Sequence, residues 1–157
     1  MKIYKIFAFA LAALFIFGCN SAVKQTASPS DVLKKYFEAY DRKDVAAAKQ
    51  TFSKGTMKMY EDAARKQQIS VDEVVKKQFE AGAANNLTKQ VETVGEKIEG
   101  DTATVEVKSK TAGENENIPL VKEDGEWKVA FDQYMQTLLE RMKQDMNKMP
   151  TNPANKN

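Results

Sequence analysis

The hydrophobic period of this chain changes from helical to alternating midway, and that change limits its fold more than any other feature. Up to "GAANNL", residues 82 to 87, apolar residues recur at helical spacing; after it they alternate. The first helical stretch opens with "SPSD": Ser28 is the cap, Pro29 suits the first helical position, and Asp31 completes an S-x-x-D box. Val32, Leu33, Tyr36, Phe37 and Tyr40 then form one apolar stripe. Asp44 caps a short second helix, a third is expected over Met57 to Gln68, and Ser70 with Glu73 boxes a fourth. The fourth helix turns Val71, Val74, Val75 and Phe79 inward and ends near Gly82. Beyond the change, Val91 to Ile98 reads as a strand with a bulge at Gly95. Ala103, Val105 and Val107 alternate with polar residues on a second strand, and Ile118 and Leu120 begin a third. "EDGE" is a tight hairpin signal, after which Trp127, Val129 and Phe131 alternate inward. Helices followed by hairpin-linked strands specify an α+β fold with the helices on one face of an antiparallel sheet.

Two segments carry a family resemblance. "SPSDVLKKYFEAYDRKDVAAAKQTFS" and "IPLVKEDGEWKVAF" resemble bacterial lipoprotein domains grouped as domain of unknown function 4878, related to lumazine-binding-like and nuclear-transport-factor-2-like proteins. The resemblance spans residues 28 to 131. It implies a curved antiparallel sheet of about four strands wrapped on N-terminal helices as a cone with a cavity at its wide end. It implies no particular reaction.

The chain also carries an address. Lys2 and Lys5 precede an unbroken apolar run from Ile6 to Phe17, too short to span a bilayer and suited to a secretory leader. The run ends at Gly18 and Cys19, the one cysteine. A disulfide within the chain is excluded, and one cysteine without any histidine makes a poor zinc site. A nucleophilic thiol needs a neighbouring base or cation in a folded pocket, and the flanks of Cys19 offer neither. "IFGC" resembles the bacterial lipobox. That resemblance implies cleavage after Gly18 and thioether-linked lipid on Cys19, with residues 1–18 as signal peptide and 19–28 as flexible tether. The protein is then expected in the bacterial cell envelope, outside the cytoplasm. Asn20, not aspartate, follows the cysteine, which points to the outer membrane in a host that has one.

Charge narrows the partners. Loss of Lys2 and Lys5 with the leader lowers Lys plus Arg from 24 to 22, equal to the 22 acidic residues. A neutral mature chain is not expected to bind nucleic acid. No metal or cofactor is expected, and the lack of histidine removes the commonest general base near neutral pH. Tyr36, Tyr40, Tyr60, Asp132 and Tyr134 offer phenols and a carboxylate for proton transfer. Tyrosines on an apolar stripe are more simply core residues, so no enzyme activity is expected. The expected role is a lipid-anchored protein binding a small apolar ligand or an envelope partner through a cone lined by Tyr36, Tyr40, Tyr60, Phe79, Trp127 and Phe131. The alternative is an interaction module with a filled cone.

The alternative would assemble through the last helix, expected over residues 132–149 with Asp132 as cap and Pro150 as stop. Met135, Leu138, Leu139, Met142, Met146 and Met149 share its apolar side, a set suited to a lid over the cone or to contact with a partner. The tail from residue 150 has too little apolar content to fold.

Overall fold

The computed structural model describes residues 26–81, 87–110, 113 and 115–148. The leader, Gly18, Cys19, most of the tether, Met149 and the tail lie outside the described residues. Four helices come first: α1 (Pro29–Asp41), α2 (Val45–Thr51), α3 (Lys54–Gln67) and α4 (Val71–Ala81). A short α5 (Leu87–Gln90) leads into β1 (Val91–Glu99), β2 (Thr102–Ser109), β3 (Asn115–Glu123) and β4 (Glu126–Val129), and α6 (Phe131–Lys148) follows. The four strands form one antiparallel sheet in sequence order. The fold is therefore α+β, with a helix after the sheet.

The caps form as their residue types demand. Asp31 N donates to Ser28 Oγ at 3.1 Å, and Ser28 N donates back to the Asp31 carboxylate. Ala47 N donates to Asp44 at 3.0 Å, and Ser70 and Glu73 exchange bonds in the same reciprocal way. Each bond satisfies a helix-end amide that has no partner within the helix. The β3–β4 hairpin turns at Asp124 and Gly125, both with positive φ (52° and 82°), as a two-residue turn between twisted strands requires. The bulge in β1 falls between Thr93 and Gly95 and leaves Val94 as the extra residue.

One face of the sheet is apolar and covered. Ala103, Val105, Val107, Ile118, Leu120, Trp127 and Val129 are buried together with Leu33, Tyr36, Tyr40, Tyr60, Val75 and Phe79 from the helices. Leu33, Val75, Val105 and Val129 are fully inaccessible. Burial on that scale contributes about 1.5–3 kcal/mol for each large apolar side chain. The opposite face carries Thr104, Glu106, Pro119 and Lys128, none of them buried.

The helical and strand halves are joined at one buried polar knot. Thr56 is fully buried, and its hydroxyl lies 3.0 Å from Val129 O and 3.1 Å from Asp132 Oδ1. The same oxygen accepts from Phe131 N at 2.8 Å. Ser53 N donates to Val129 O at 3.0 Å, and Ser53 Oγ takes the amide of Thr56. The start of α3, the end of β4 and the start of α6 thus share one set of bonds. Gly55 leaves space beside it: a Cβ there would sit 2.3 Å from the Asp132 carboxylate and push it off its place.

Four sequence expectations are corrected here. α3 begins at Lys54, three residues before Met57, because Ser53 caps it. Phe131 is not a strand residue: β4 ends at Val129, Ala130 N bonds Pro119 O, and Phe131 opens α6. Asp132 therefore lies inside the first turn and accepts hydroxyl bonds from Ser53 and Thr56 instead of capping the helix. β3 starts at Asn115, ahead of Ile118, because Asn115 to Asn117 already pair with β2.

Thr56→Val keeps the shape and removes the hydroxyl, leaving the Phe131 amide without its acceptor. Urea unfolding should show a loss of about 1–3 kcal/mol with an unchanged m value. Thr56→Ser should recover most of it; equal losses in both variants would assign the effect to packing.

Candidate functional site

Of the six aromatics expected to line a cone, Tyr36, Tyr40, Tyr60, Phe79 and Phe131 belong to one chain of ring contacts that also includes Phe52, while Trp127 lies apart from it. Tyr36 lies 4.8 Å from Phe131 and 5.8 Å from Phe52, centroid to centroid. Tyr40 meets Phe79 edge-on at 4.8 Å, and Phe52 stacks on Tyr60 at 5.2 Å. Tyr36, Tyr40, Tyr60, Phe79 and Trp127 are buried, and Phe131 is half-buried at the rim. Side chains fill the space between helices and sheet at these positions.

The buried phenols are held neutral. Burial, reinforced by Tyr60 and Tyr40, pushes the Tyr36 hydroxyl far above the ordinary phenol range. Burial pushes Tyr60 up to about 12, partly offset by its hydrogen bond to the Gln78 side chain. Tyr134, half-buried on α6, is raised by burial and by Glu116, to which its hydroxyl donates at 3.2 Å. Asp132 is taken up by the Thr56 knot. Tyr36, Tyr60, Asp132 and Tyr134 thus occupy structural positions and do not converge on a shared opening. Among the described residues no group of three or more Asp, Glu or Cys is placed to hold a metal ion.

Among the described residues, open concavity includes two surface grooves. The first, of about 700 Å³, runs between α1, α2 and β4. Val32, Ala27, Ala47 and Trp127 supply its apolar lining; Lys35, Glu38, Arg42, Glu126 and Lys128 supply charge. Lys35 of α1 and Arg42, the residue that ends this helix, both border the groove. Lys128 is fixed between two acceptors, Gln50 O at 2.9 Å and Glu126 at 3.0 Å. Trp127 is the only tryptophan of the chain. Its ring is buried at 7% exposure, and Lys122 lies 5.7 Å from the ring centroid. Thr26 and Ala27, the first described residues, border the same groove, so the chain enters the domain beside it.

Of the expected lining residues, only Trp127 reaches this groove. Lys35, Arg42, Ala47 and Lys128 were not singled out by the sequence. Their signal is faint, because an exposed lysine or arginine on an amphipathic helix ordinarily only faces water.

The second groove, of about 760 Å³, separates α3 from α6 and includes Met59, Met135 and Leu139. The predicted apolar side of α6 is divided by the fold. Leu138 turns toward the domain and is half-buried, whereas Met135, Leu139, Met142 and Met146 face outward. No helix of the described residues is long and apolar enough to cross a membrane.

The raised phenols make stability depend on alkaline pH. The unfolded chain loses its tyrosine protons near pH 10 while the folded chain keeps those of Tyr36 and Tyr60, so stability is complete below pH 10 and declines above it. Denaturant titrations from pH 9 to 12 should show a slope of about 1.4 kcal/mol per pH unit for each of the two groups. Ultraviolet titration of the folded protein should show these phenols ionising late; complete ionisation near pH 10 without unfolding would contradict their burial.

No curated protein and no solved structure matches the chain significantly. The profile of the family described as "Putative lumazine-binding" matches residues 24–146. That span takes in all four strands and the helices from α1 to Met146 of α6. Helices laid over one face of a four-stranded antiparallel sheet, an open groove at its β4 edge and this match together place the protein: it belongs to the lumazine-binding-like family.

Proposed function

We propose that this protein is a lipid-anchored ligand-binding module of the bacterial envelope, holding its ligand in the open groove beside Trp127. One observation carries the choice of site. The space between helices and sheet is occupied by Tyr36, Phe52, Tyr60, Phe79 and Phe131, whereas the groove offers about 700 Å³ of accessible room. Its lining of Val32, Ala47 and Trp127 with Lys35, Arg42 and Lys128 suits a small molecule with an apolar or aromatic body and an anionic or carbonyl-bearing edge. The family assignment supports small-ligand binding, and a flat heteroaromatic such as lumazine fits that description. The role is binding without turnover.

The anchor follows from the leader. A lipid-modified Cys19 leaves only residues 20–25 between the acylated residue and the groove margin at Thr26. Six residues reach about 20 Å when extended, which keeps the binding face close to the membrane surface. Several acyl chains are needed for stable attachment, since each buried methylene contributes about 0.8 kcal/mol.

Two experiments test the two parts separately. Expressed in a bacterial host with its leader, the chain should partition into detergent and yield an acylated amino-terminal Cys19 peptide by mass spectrometry. Cys19→Ser should move it to the aqueous phase; an unmodified Met1 terminus in the wild type would refute the anchor. For the groove, Trp127 emission is a built-in reporter because there is no other tryptophan. Titration with lumazine should change it saturably, and the combined Lys35→Glu, Arg42→Glu variant should weaken binding about tenfold or more. No response in the folded wild type would count against the groove.

A further inference from the structure

The two sides of α6 have different destinations. Phe131, Tyr134 and Leu138 are half-buried against the domain, and Arg141 reaches Glu116 of β3 at 3.9 Å. On the other side Met135, Leu139, Met142 and Met146 are 45%, 51%, 61% and 62% exposed. Their spacing of four, three and four residues is the alternation of d and a positions in a heptad. A helix packed on its own domain shows a broad apolar face, whereas a narrow seam of this kind matches a second helix.

We propose that α6 of a second copy of this chain occupies the seam, antiparallel and related by a two-fold axis. Met135 then faces the partner's Met146, and Leu139 faces the partner's Met142. Charge selects this register. A slip of one heptad in one direction sets Lys143 against Lys143 and Asp145 against Asp145 across the axis; a slip in the other leaves Met142 and Met146 uncovered. The full register places Lys143 beside Gln136 and Asp145 beside Leu138, with no like charges opposed.

The groove between α3 and α6 supplies a receptacle. Gly55, Met59, Ala63, Met135 and Leu139 line it, and it is large enough, at about 760 Å³, for the partner's Met142 and Met146 side chains. Its α3 rim carries Lys58, Asp62 and Lys66, one helical turn apart. In the antiparallel register the partner's Lys143 comes level with Asp62, and the partner's Glu140 with Lys66. Two-fold symmetry makes every contact twice. Methionine suits such a joint, since its unbranched side chain adapts to an irregular groove. This contact is independent of the groove beside Trp127, and neither requires the other.

The test is native mass spectrometry of the full chain released from detergent micelles, with circular dichroism of every variant to confirm folding. The wild type should give a dimer. Met142→Glu, at an exposed position of the lone subunit, should weaken the dimer about a hundredfold without loss of helix content. Asp62→Lys and Lys143→Asp should each weaken it about tenfold, and the two together should restore it. A wild type that is monomeric at tens of micromolar would overturn the proposal, including one that adsorbs as a monomer to anionic vesicles. So would a dimer that Met142→Glu leaves intact, or charge swaps that fail to rescue each other.

Discussion

A single buried hydroxyl, that of Thr56, joins parts of the chain more than seventy residues apart. An antiparallel sheet with one apolar face has to be covered, and here the covering helices precede the sheet in the chain. Hydrophobic contact alone would hold them together without fixing how α3 sits on the end of β4. The knot of Ser53, Thr56, Val129, Phe131 and Asp132 does fix it, because each buried polar group there has partners only in that arrangement. It also sets the direction in which α6 leaves the sheet. With Gly55 in place α3 comes close to Asp132; a larger residue would have to displace the Asp132 carboxylate that accepts from Ser53 and Thr56.

The same packing decides where a ligand can go. Phe52 and the aromatic side chains of α1, α3, α4 and the start of α6 pack ring against ring at centroid distances of 4.8–5.9 Å, within the cluster that covers the sheet. Accessible volume is displaced to the flank, where β4 ends the sheet and α1 and α2 rise beside it. The groove there has an apolar floor and a mixed-charge rim, the usual composition of a small-molecule site. It also lies where Thr26 and Ala27 lead the chain into α1. α6 leaves its own exposed seam on a different groove.

The helices-then-strands order, the caps of α1, α2 and α4, the bulge at Gly95 and the Asp124–Gly125 hairpin were legible in the sequence, whereas α5 and the Ser53 cap were not. Each depends on local chemistry: a hydroxyl or carboxylate three residues before an amide, a period of two, a positive φ. Long-range facts were less legible. Ser53 and Gly55 signal the start of α3 only once Asp132 is known to pack against them. Phe131 continues the alternation of β4 in sequence, yet β4 ends two residues earlier at Val129 and Phe131 opens α6. Aromatics at helical spacing could line a cavity or fill it, and the pattern is identical in both cases. The groove was hidden because its charged residues look like ordinary surface until α1, α2 and β4 are brought together.

The central claim is that ligand binds outside a filled interior, in the groove beside Trp127. Two-dimensional NMR of the folded protein with added lumazine tests it directly. The account predicts shifts concentrated at the Trp127 indole, Val32, Ala47 and the amides of Lys35 and Arg42, with Tyr60 and Phe79 unmoved. Shifts centred on Tyr60 and Phe79, or a spectrum that lumazine leaves unchanged, would contradict it.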